Sequence, residues 1–234
     1  MVRRKKQSNL NSNMRHLVTK INPRSPVTEQ YKTIRTNIQF ATVDGEVRSM
    51  LVTSSGPAEG KSTVTANLAV VFAQQGKKVL LIDADMRKPT LHYTFRIPNQ
   101  QGLSSVLVGG ASVEEAVVES DEANLDLMPC GPIPPNPSEL LGSQSMKRLL
   151  EHLNGIYDLV IFDTPPVLAV TDAQILGNIC DGVVMVVRSK RTEYETAQKA
   201  KELLEVGQAK LLGVVLNDKV FKKGSNYYYY YGTN

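Results

Sequence analysis

The chain has 234 residues, of which 41% are hydrophobic and 21% charged, a composition typical of a soluble globular protein with one continuous core. No run of 18 apolar residues occurs, and the N-terminus is polar, so we expect neither a membrane span nor a secretory signal. Cys130 and Cys180 lie far apart without metal-ligand spacing, which favours reduced thiols in the cytoplasm.

The formal net charge of +4 is unevenly distributed along the chain. Without the seven cations that precede Glu29, 20 basic and 23 acidic residues remain, a net charge of about −3. We expect residues 1–24 to form a disordered basic leader. This leader either binds anionic lipid headgroups, with each cation contributing roughly 1 kcal/mol of binding free energy, or is a solvated arm that aids solubility. Nucleic-acid binding is not expected, because the arm lacks aromatic residues and no known reading motif follows it. The seven cations are Arg3, Arg4, Lys5, Lys6, Arg15, Lys20 and Arg24.

The chain then alternates between helical and strand patterns. A helix over residues 25–41 is predicted to begin with Ser25 as N-cap and Pro26 at its first position. From Ser49 onward, nearly continuous apolar runs are separated by helices, which predicts a P-loop-type α/β domain over residues 25–218, with a mostly parallel sheet and helices on both faces. Residues 219–234 are expected to be a flexible tail. The predicted strands are 50–52, 78–83, 125–128, 159–162, 182–187 and 211–216, and the later helices are 61–75, 139–153 and 192–206.

A phosphate-binding loop follows the first predicted strand. It departs from the pattern G-x-x-x-x-G-K-[ST] only at its first position, which Ser55 occupies. In such loops the backbone amides and the helix N-terminus bind phosphate oxygens, the lysine reaches the β- and γ-phosphates and the hydroxyl ligates Mg²⁺. We therefore expect ATP and Mg²⁺ as cofactors, bound by Gly56, Pro57, Ala58, Glu59, Gly60, Lys61, Ser62 and Thr63.

Three carboxylates end two other predicted strands. Asp163 follows the run 159–162 and is placed to hold magnesium, through water, as Walker-B acids do. Asp83 and Asp85 leave another strand with one residue between them, so one can assist the metal while the other accepts a proton from an attacking hydroxyl. Arg87 either counters these acids or neutralises phosphate charge. Because ligands bind outside the carboxyl ends of parallel strands, we expect these groups to meet at one site.

Five consecutive tyrosines lie near the C-terminus: Tyr227, Tyr228, Tyr229, Tyr230 and Tyr231. Neither a helix nor a strand can bury five adjacent rings on one face. The cluster is either a sticky disordered end or, beside an ATP site, a row of phosphoacceptors. We favour the second interpretation.

Together, the loop, the segment Asp83-x-Asp85-x-Arg87, Asp163 and the tyrosine-rich end resemble the bacterial tyrosine kinases, in particular the separate cytoplasmic kinase subunit of capsule and exopolysaccharide systems. The resemblance implies that Lys61 and Ser62 contact ATP and Mg²⁺, that Asp83 is the catalytic base, and that Asp85 and Asp163 surround the metal. It also implies Asn217 as an adenine contact, although a plain turn fits the pair Asn-Asp equally well.

The same resemblance implies assembly. The family forms a ring through an E-x-x-R-x-x-R segment, which here consists of Glu29, Lys32 and Arg35, with lysine at the middle position. Lysine keeps the charge but loses the bidentate fork of arginine. Family members also pair with a membrane adaptor whose cytoplasmic tail promotes activity, which implies a location at the inner face of the cell membrane.

The favoured function is an ATP- and Mg²⁺-dependent protein-tyrosine kinase that phosphorylates its own tail between neighbouring subunits and regulates exopolysaccharide or capsule synthesis. Other proteins phosphorylated on tyrosine are expected as further substrates. The alternative is a partitioning or positioning ATPase of the ParA/MinD type. Those proteins commonly carry a second lysine early in the loop, where this chain has Gly56. That difference and the tyrosine cluster favour the kinase.

Overall fold

The computed structural model describes residues 17–41 and 46–220. The tyrosine cluster and the cations of residues 1–16 lie outside these ranges. Within them, a single sheet has the strand order β3-β4-β2-β5-β1-β6-β7, in which only β3 is antiparallel to its neighbour. Its strands are β1 (Ser49–Ser54), β2 (Val79–Asp83), β3 (Val118–Glu119), β4 (Leu125–Met128), β5 (Leu159–Asp163), β6 (Gly182–Arg188) and β7 (Leu211–Asn217).

Helices cover both faces of this sheet, as predicted. The two faces bury separate apolar clusters, one around Leu80, Phe162 and Leu204 and the other around Leu68, Leu81 and Ile161. The described helices are α1 (Val18–Ile21), α2 (Pro26–Phe40), α3 (Lys61–Ala73), α4 (Leu91–Phe95), α5 (Leu103–Leu107), α6 (Val113–Ala116), α7 (Pro137–Leu141), α8 (Gln144–Asn154), α9 (Asp172–Gly177) and α10 (Tyr194–Val206). None of these helices is both long and apolar enough to cross a membrane.

Helix α3 is buried nearly all round, because α1 and α2 cover the side that faces away from the sheet. Ser25 caps α2 as predicted, its hydroxyl accepting a hydrogen bond from the amide of Thr28. Arg35 of α2 donates to the carbonyl of Val71 at 2.9 Å, which fixes α2 to the end of α3. The N-terminal helices therefore hold the helix that follows the phosphate loop.

The predicted end of the basic leader at residue 24 is too late in the chain. Leu17 is buried, and Thr19 of α1 is completely buried and donates twice to the side-chain oxygen of Asn67 in α3. Lys20, counted among the leader cations, forms an ion pair with Asp121. Charge alone did not indicate this packed segment, because Leu17 and Val18 are too few to show a helical period.

The predicted helix over residues 139–153 is two helices. Helix α7 ends at Leu141, Gly142 follows, and Ser143 caps the new helix α8 by accepting from the amide of Met146 at 3.2 Å. A Gly-Ser pair favours such a break, since glycine lowers helix propensity and serine is a preferred N-cap.

Candidate active site

The phosphate loop connects β1 to α3 at the carboxyl ends of the central strands of the sheet. Gly60, the last loop residue, has φ of +91°, a left-handed conformation that favours glycine. A Cβ at Gly60 would lie 2.1 Å from Nδ2 of Asn217, the last residue of β7. This side-chain amide donates to the carbonyl of Glu59 at 2.9 Å. Close approach of β7 therefore also requires glycine here.

Lys61 joins the phosphate loop to the acids of two neighbouring strands. Its Nζ lies 2.9 Å from Oδ2 of Asp85, 3.5 Å from Oδ1 of Asp163 and 3.1 Å from the hydroxyl of Ser62. Burial alone would lower the pKa of Lys61, but Asp163 and Asp85 outweigh it and hold this pKa above its ordinary value. The structure therefore brings together the loop lysine, the loop hydroxyl and two of the predicted carboxylates around one positive charge.

Asp83 lies directly opposite Asp163 in the parallel register of β2 and β5 and is completely buried. Its Oδ2 accepts from the amides of Thr90 and Leu91 at 2.8 and 2.9 Å, and its Oδ1 accepts from the amide of Asp85 at 3.2 Å. Burial, and then repulsion from Asp163, raise the pKa of Asp83 to about 7, against the opposing effect of the Thr90 and Leu91 amides. A carboxyl of this kind can exchange a proton near neutral pH.

The donor atoms at this site suit magnesium. Within residues 17–41 and 46–220, no group of three or more His, Cys, Asp or Glu side chains is arranged to hold a metal by itself. Magnesium does not need such a cage, because it usually binds one or two carboxylates together with phosphates and water. Asp85 and Asp163 already accommodate a cation, the ammonium of Lys61, beside the Ser62 hydroxyl. These oxygen donors fit a magnesium ion that arrives with a nucleotide.

Arg87 has a partner that the sequence did not indicate. Its guanidinium lies 3.1 and 3.2 Å from the two carboxylate oxygens of Asp172, a fully buried residue at the start of α9. Ser138 of α7 donates to Asp172 at 2.8 Å and accepts from Arg87 at 3.1 Å. Arg87 thus ties the segment after Asp85 to α7 and α9, and its main carboxylate partner is neither Asp83 nor Asp85.

Two other residues at the site were not singled out from the sequence. Thr65, one turn into α3, has its hydroxyl 3.4 Å from Oδ1 of Asp163. Thr192 donates from its hydroxyl to the carboxylate of Glu59 in the phosphate loop. A threonine in a helix or a loop carries no sequence signal for such a role, and Thr192 is 133 residues away from its partner.

The chain is similar to known proteins over most of its length. The family described as "AAA domain" matches residues 56–210. The tyrosine-protein kinase YwqD of Bacillus subtilis is 57% identical over 216 residues, which cover 92% of this chain and 91% of YwqD. The tyrosine-protein kinase CpsD of Streptococcus agalactiae is 37% identical and covers 85% of each chain. The chain belongs to the bacterial tyrosine-protein kinase family.

Solved structures of kinase domains in this family share the fold. The kinase domain of the Escherichia coli tyrosine kinase ETK superposes with a TM-score of 0.83 at 33% identity, covering 91% of this chain and 86% of that one. The cell-division ATPase MinD of Pyrococcus furiosus gives a TM-score of 0.62 at 25% identity and covers 72% of this chain. The similarity to MinD reflects the shared P-loop sheet, and the kinases match more closely than the positioning ATPase that was the alternative.

Proposed function

We propose that this tyrosine-kinase family member transfers the γ-phosphoryl group of ATP, with Mg²⁺, to the tyrosines of its own C-terminal cluster, residues 227–231. The observation that carries this proposal is the position of the Lys61 ammonium between the carboxylates of Asp85 and Asp163, where the phosphate loop meets α3. P-loop enzymes place the loop lysine on the phosphates of a nucleoside triphosphate and hold Mg²⁺ with the loop hydroxyl and a strand-end aspartate.

Each group at the site has a proposed role. The amides of residues 58–63 bind phosphate oxygens, Lys61 contacts the β- and γ-phosphates, and Asn217 contacts adenine. The residues that would hold Mg²⁺ are Ser62, Asp85 and Asp163. When bound, Mg²⁺ neutralises charge on the transferring phosphate. Since Lys61 now pairs with Asp85, nucleotide binding is expected to draw its ammonium away from that carboxylate and toward phosphate.

In the proposed reaction, a tyrosine oxygen attacks the γ-phosphorus and forms a new P–O bond. The bond between the γ-phosphorus and the bridging oxygen breaks, which leaves ADP, and the phenolic proton passes to the carboxylate of Asp83. An ionised carboxylate has about four acceptor positions, of which the backbone amides occupy three here. Asp83 is buried, so we propose that the segment 84–91 shifts when an acceptor tyrosine enters.

We also propose that the acceptor belongs to a neighbouring subunit of a ring, and that a membrane adaptor with a cytoplasmic tail holds this ring at the inner face of the membrane, where it regulates exopolysaccharide or capsule synthesis. The proposed ring contact is the surface of α2 with Glu29, Lys32 and Arg35. Lys32 already forms a 2.7 Å ion pair with Glu29 on an exposed face. A partner would have to exchange that pair for one between subunits.

The test is mass spectrometry of the purified protein after incubation with Mg-ATP. Phosphate on the peptide with residues 227–231 is expected in the native protein and not in Lys61→Met, which removes the contact to the β- and γ-phosphates. Phosphate on neither protein would refute the proposal.

A mixing experiment tests whether the transfer occurs between subunits. The donor is a chain that ends at residue 220, which retains the site but has no tyrosine cluster. The acceptor is full-length Lys61→Met, which has the cluster but no functional site. Phosphate on the acceptor's cluster is expected if subunits act on one another, and an unmodified acceptor beside an active native protein would show transfer within one chain.

A further inference from the structure

The phosphate loop contains a buried carboxylate of its own. Glu59 is 7% exposed, and its carboxylate accepts from the Ser55 hydroxyl, 2.8 Å from both oxygens, and from the Gly56 amide at 3.0 Å. These contacts lie within one turn of chain, so Glu59 closes the loop on itself. The Ser55 hydroxyl and the Gly56 amide both donate to this carboxylate.

The same carboxylate fixes the loop to the far side of the site. Thr192, in the connection between β6 and α10, donates its hydroxyl hydrogen to Oε1 of Glu59 and accepts from the amide of Arg188 at 2.8 Å. Arg188 donates to the carbonyl of Ala58 at 3.3 Å and pairs with Asp218 at 2.8 Å. The loop is thereby joined to the ends of both β6 and β7.

A carboxylate in this place has two opposing effects on phosphate binding. Its negative charge repels phosphate, and it occupies the amide of Gly56, which could otherwise point at an anion. Its hydrogen bonds, however, fix the conformation of a loop that must be ordered before its other amides can converge on a ligand, and an ordered loop loses less entropy when it binds. The sign of the effect of neutralising Glu59 therefore reveals which contribution is larger.

We propose that Glu59 and Thr192 are positioning residues that hold the phosphate loop in its nucleotide-binding shape before the nucleotide arrives. Glu59 acts as an internal brace, and Thr192 connects that brace to the rest of the fold. Neither residue takes part in phosphoryl transfer. This inference rests on the proposed role of the loop in binding ATP.

Four variants of the full-length protein test the brace. Glu59→Gln removes the charge and half of the acceptor atoms, and Thr192→Val removes the hydroxyl at constant size. Thr192→Ser keeps the hydroxyl. Thr196→Val makes the same chemical change four residues later, in the first turn of α10, at a residue with no described contact to the loop. The three measurements are calorimetric affinity for Mg-ADP, KM and kcat for ATP, and hydrogen exchange of the loop amides in the nucleotide-free protein.

The brace predicts about tenfold weaker Mg-ADP binding and a similarly raised KM in Glu59→Gln and Thr192→Val, the equivalent of one lost hydrogen bond to a charged group. The value of kcat should stay within about twofold of that of the native protein, because an ordered loop stabilises the bound substrate and the transition state equally. Faster exchange of the Gly56 amide is expected in Glu59→Gln, and near-native values throughout in Thr192→Ser and Thr196→Val.

Several results would overturn the brace. Tighter or unchanged Mg-ADP binding in Glu59→Gln would show that charge repulsion is the larger contribution. A change in kcat alone would assign Glu59 to the chemistry instead. Faster loop exchange without weaker binding would make the contacts merely structural. Failure of the native protein to bind Mg-ADP would instead reject the proposed function, and the brace with it, so the two failures are distinguishable.

Discussion

Asp83, Asp85 and Asp163 place three carboxylates beside a single ammonium, and all three are at most 5% exposed. Buried charges of one sign are expensive unless they are paired or neutralised. Lys61 offsets one of them, and the raised pKa of Asp83 allows a proton to offset part of the rest. The excess negative charge explains why this cluster of residues is suited to a divalent cation, although it does not form a closed metal cage.

Arg87→Ala is expected to lower the free energy of unfolding by about 1–2 kcal/mol, because it removes the bidentate partner of the buried Asp172. This loss is smaller than the usual cost of breaking a fully buried pair, since 39% of the Arg87 side chain is exposed and the ion pair is therefore partly screened by water. Urea denaturation measures the change. Arg87→Lys should lose less, and Arg191→Ala, at an exposed position, should stay within about 0.5 kcal/mol. A loss no greater than that of Arg191→Ala would show that Ser138 alone satisfies Asp172.

Both cysteines should be inert in the folded protein. Burial, and then repulsion from Asp83 and Asp85, raise the pKa of Cys130 to about 12, and burial also raises the pKa of Cys180. Since thiolate is the reactive form, Cys130 should be ionised in about one molecule in 10⁴ near pH 8. We expect a thiol-specific disulfide reagent to label neither cysteine in the native protein and both in concentrated guanidinium chloride. Rapid labelling of native protein would contradict the burial.

The same shift fixes the sign of a pH dependence. The folded pKa of Cys130 is raised, so the stability contributed by its neutral thiol is fully present below the pKa of a free thiol. That contribution is lost as the pH rises toward about 12. Cys130→Ala should therefore lose stability less steeply over this alkaline range, which denaturation curves at several pH values would measure.

At the scale of whole elements, strand patterns were the most predictable part of the chain. Strands β1, β2 and β5 are buried along their full length, so their residues form continuous apolar runs that end at the loop or at an acid. The short edge strand β3 was not predicted, because Val118–Glu119 has too few residues to show a period. The division of residues 139–153 into α7 and α8 was also missed, since local breaks depend on a cap that the apolar spacing does not reveal.

In the candidate site, too, some residues could be predicted from the sequence and some contacts could not. Lys61, Asp85 and Asp163 were expected to converge because each follows a parallel strand, and one fold rule places strand ends at one edge. The partners of Arg87 and Glu59 could not be read from the sequence, because Asp172 and Thr192 lie 85 and 133 residues away in their respective pairs. Hydrogen bonds between distant loops depend on tertiary packing, which leaves no periodic pattern.

Helix α1 should contribute measurably to stability through its contact with α3. Thr19→Val keeps the size of the side chain but removes the hydroxyl that donates to the buried oxygen of Asn67 at 2.8 Å. The expected loss is about 1–3 kcal/mol, since a buried acceptor then loses one of its donors. Thr33→Val, on the exposed surface of α2, is the matched control and should stay within about 0.5 kcal/mol. Equal effects of the two substitutions would show that the contact between α1 and α3 does not contribute measurably to stability.

For the whole molecule, the distribution of charge sets the consequence of the proposed reaction. Each phosphotyrosine adds about −1.5 to −2 charges near neutral pH. Phosphate on several of residues 227–231 would therefore shift the net charge of +4 to a negative value. In a ring whose tails lie near neighbouring sites, these charges repel one another and the carboxylates of the sites.

We therefore expect the assembled protein to dissociate after treatment with Mg-ATP. Light scattering coupled to size-exclusion chromatography should show a ring before treatment and a smaller species afterwards. Lys61→Met should keep its mass, and so should a variant with phenylalanine in place of all five tyrosines, which retains the site but accepts no phosphate on the cluster. Because the cause is repulsion between exposed charges, about 1 M salt, with a Debye length near 3 Å, should restore the larger mass, provided that Lys61→Met keeps its own larger mass at the same salt concentration. An unchanged mass in fully phosphorylated protein would refute this mechanism. Dissociation that persists in salt at which Lys61→Met stays assembled would indicate that the tail itself holds the ring together by contacts that phosphate removes.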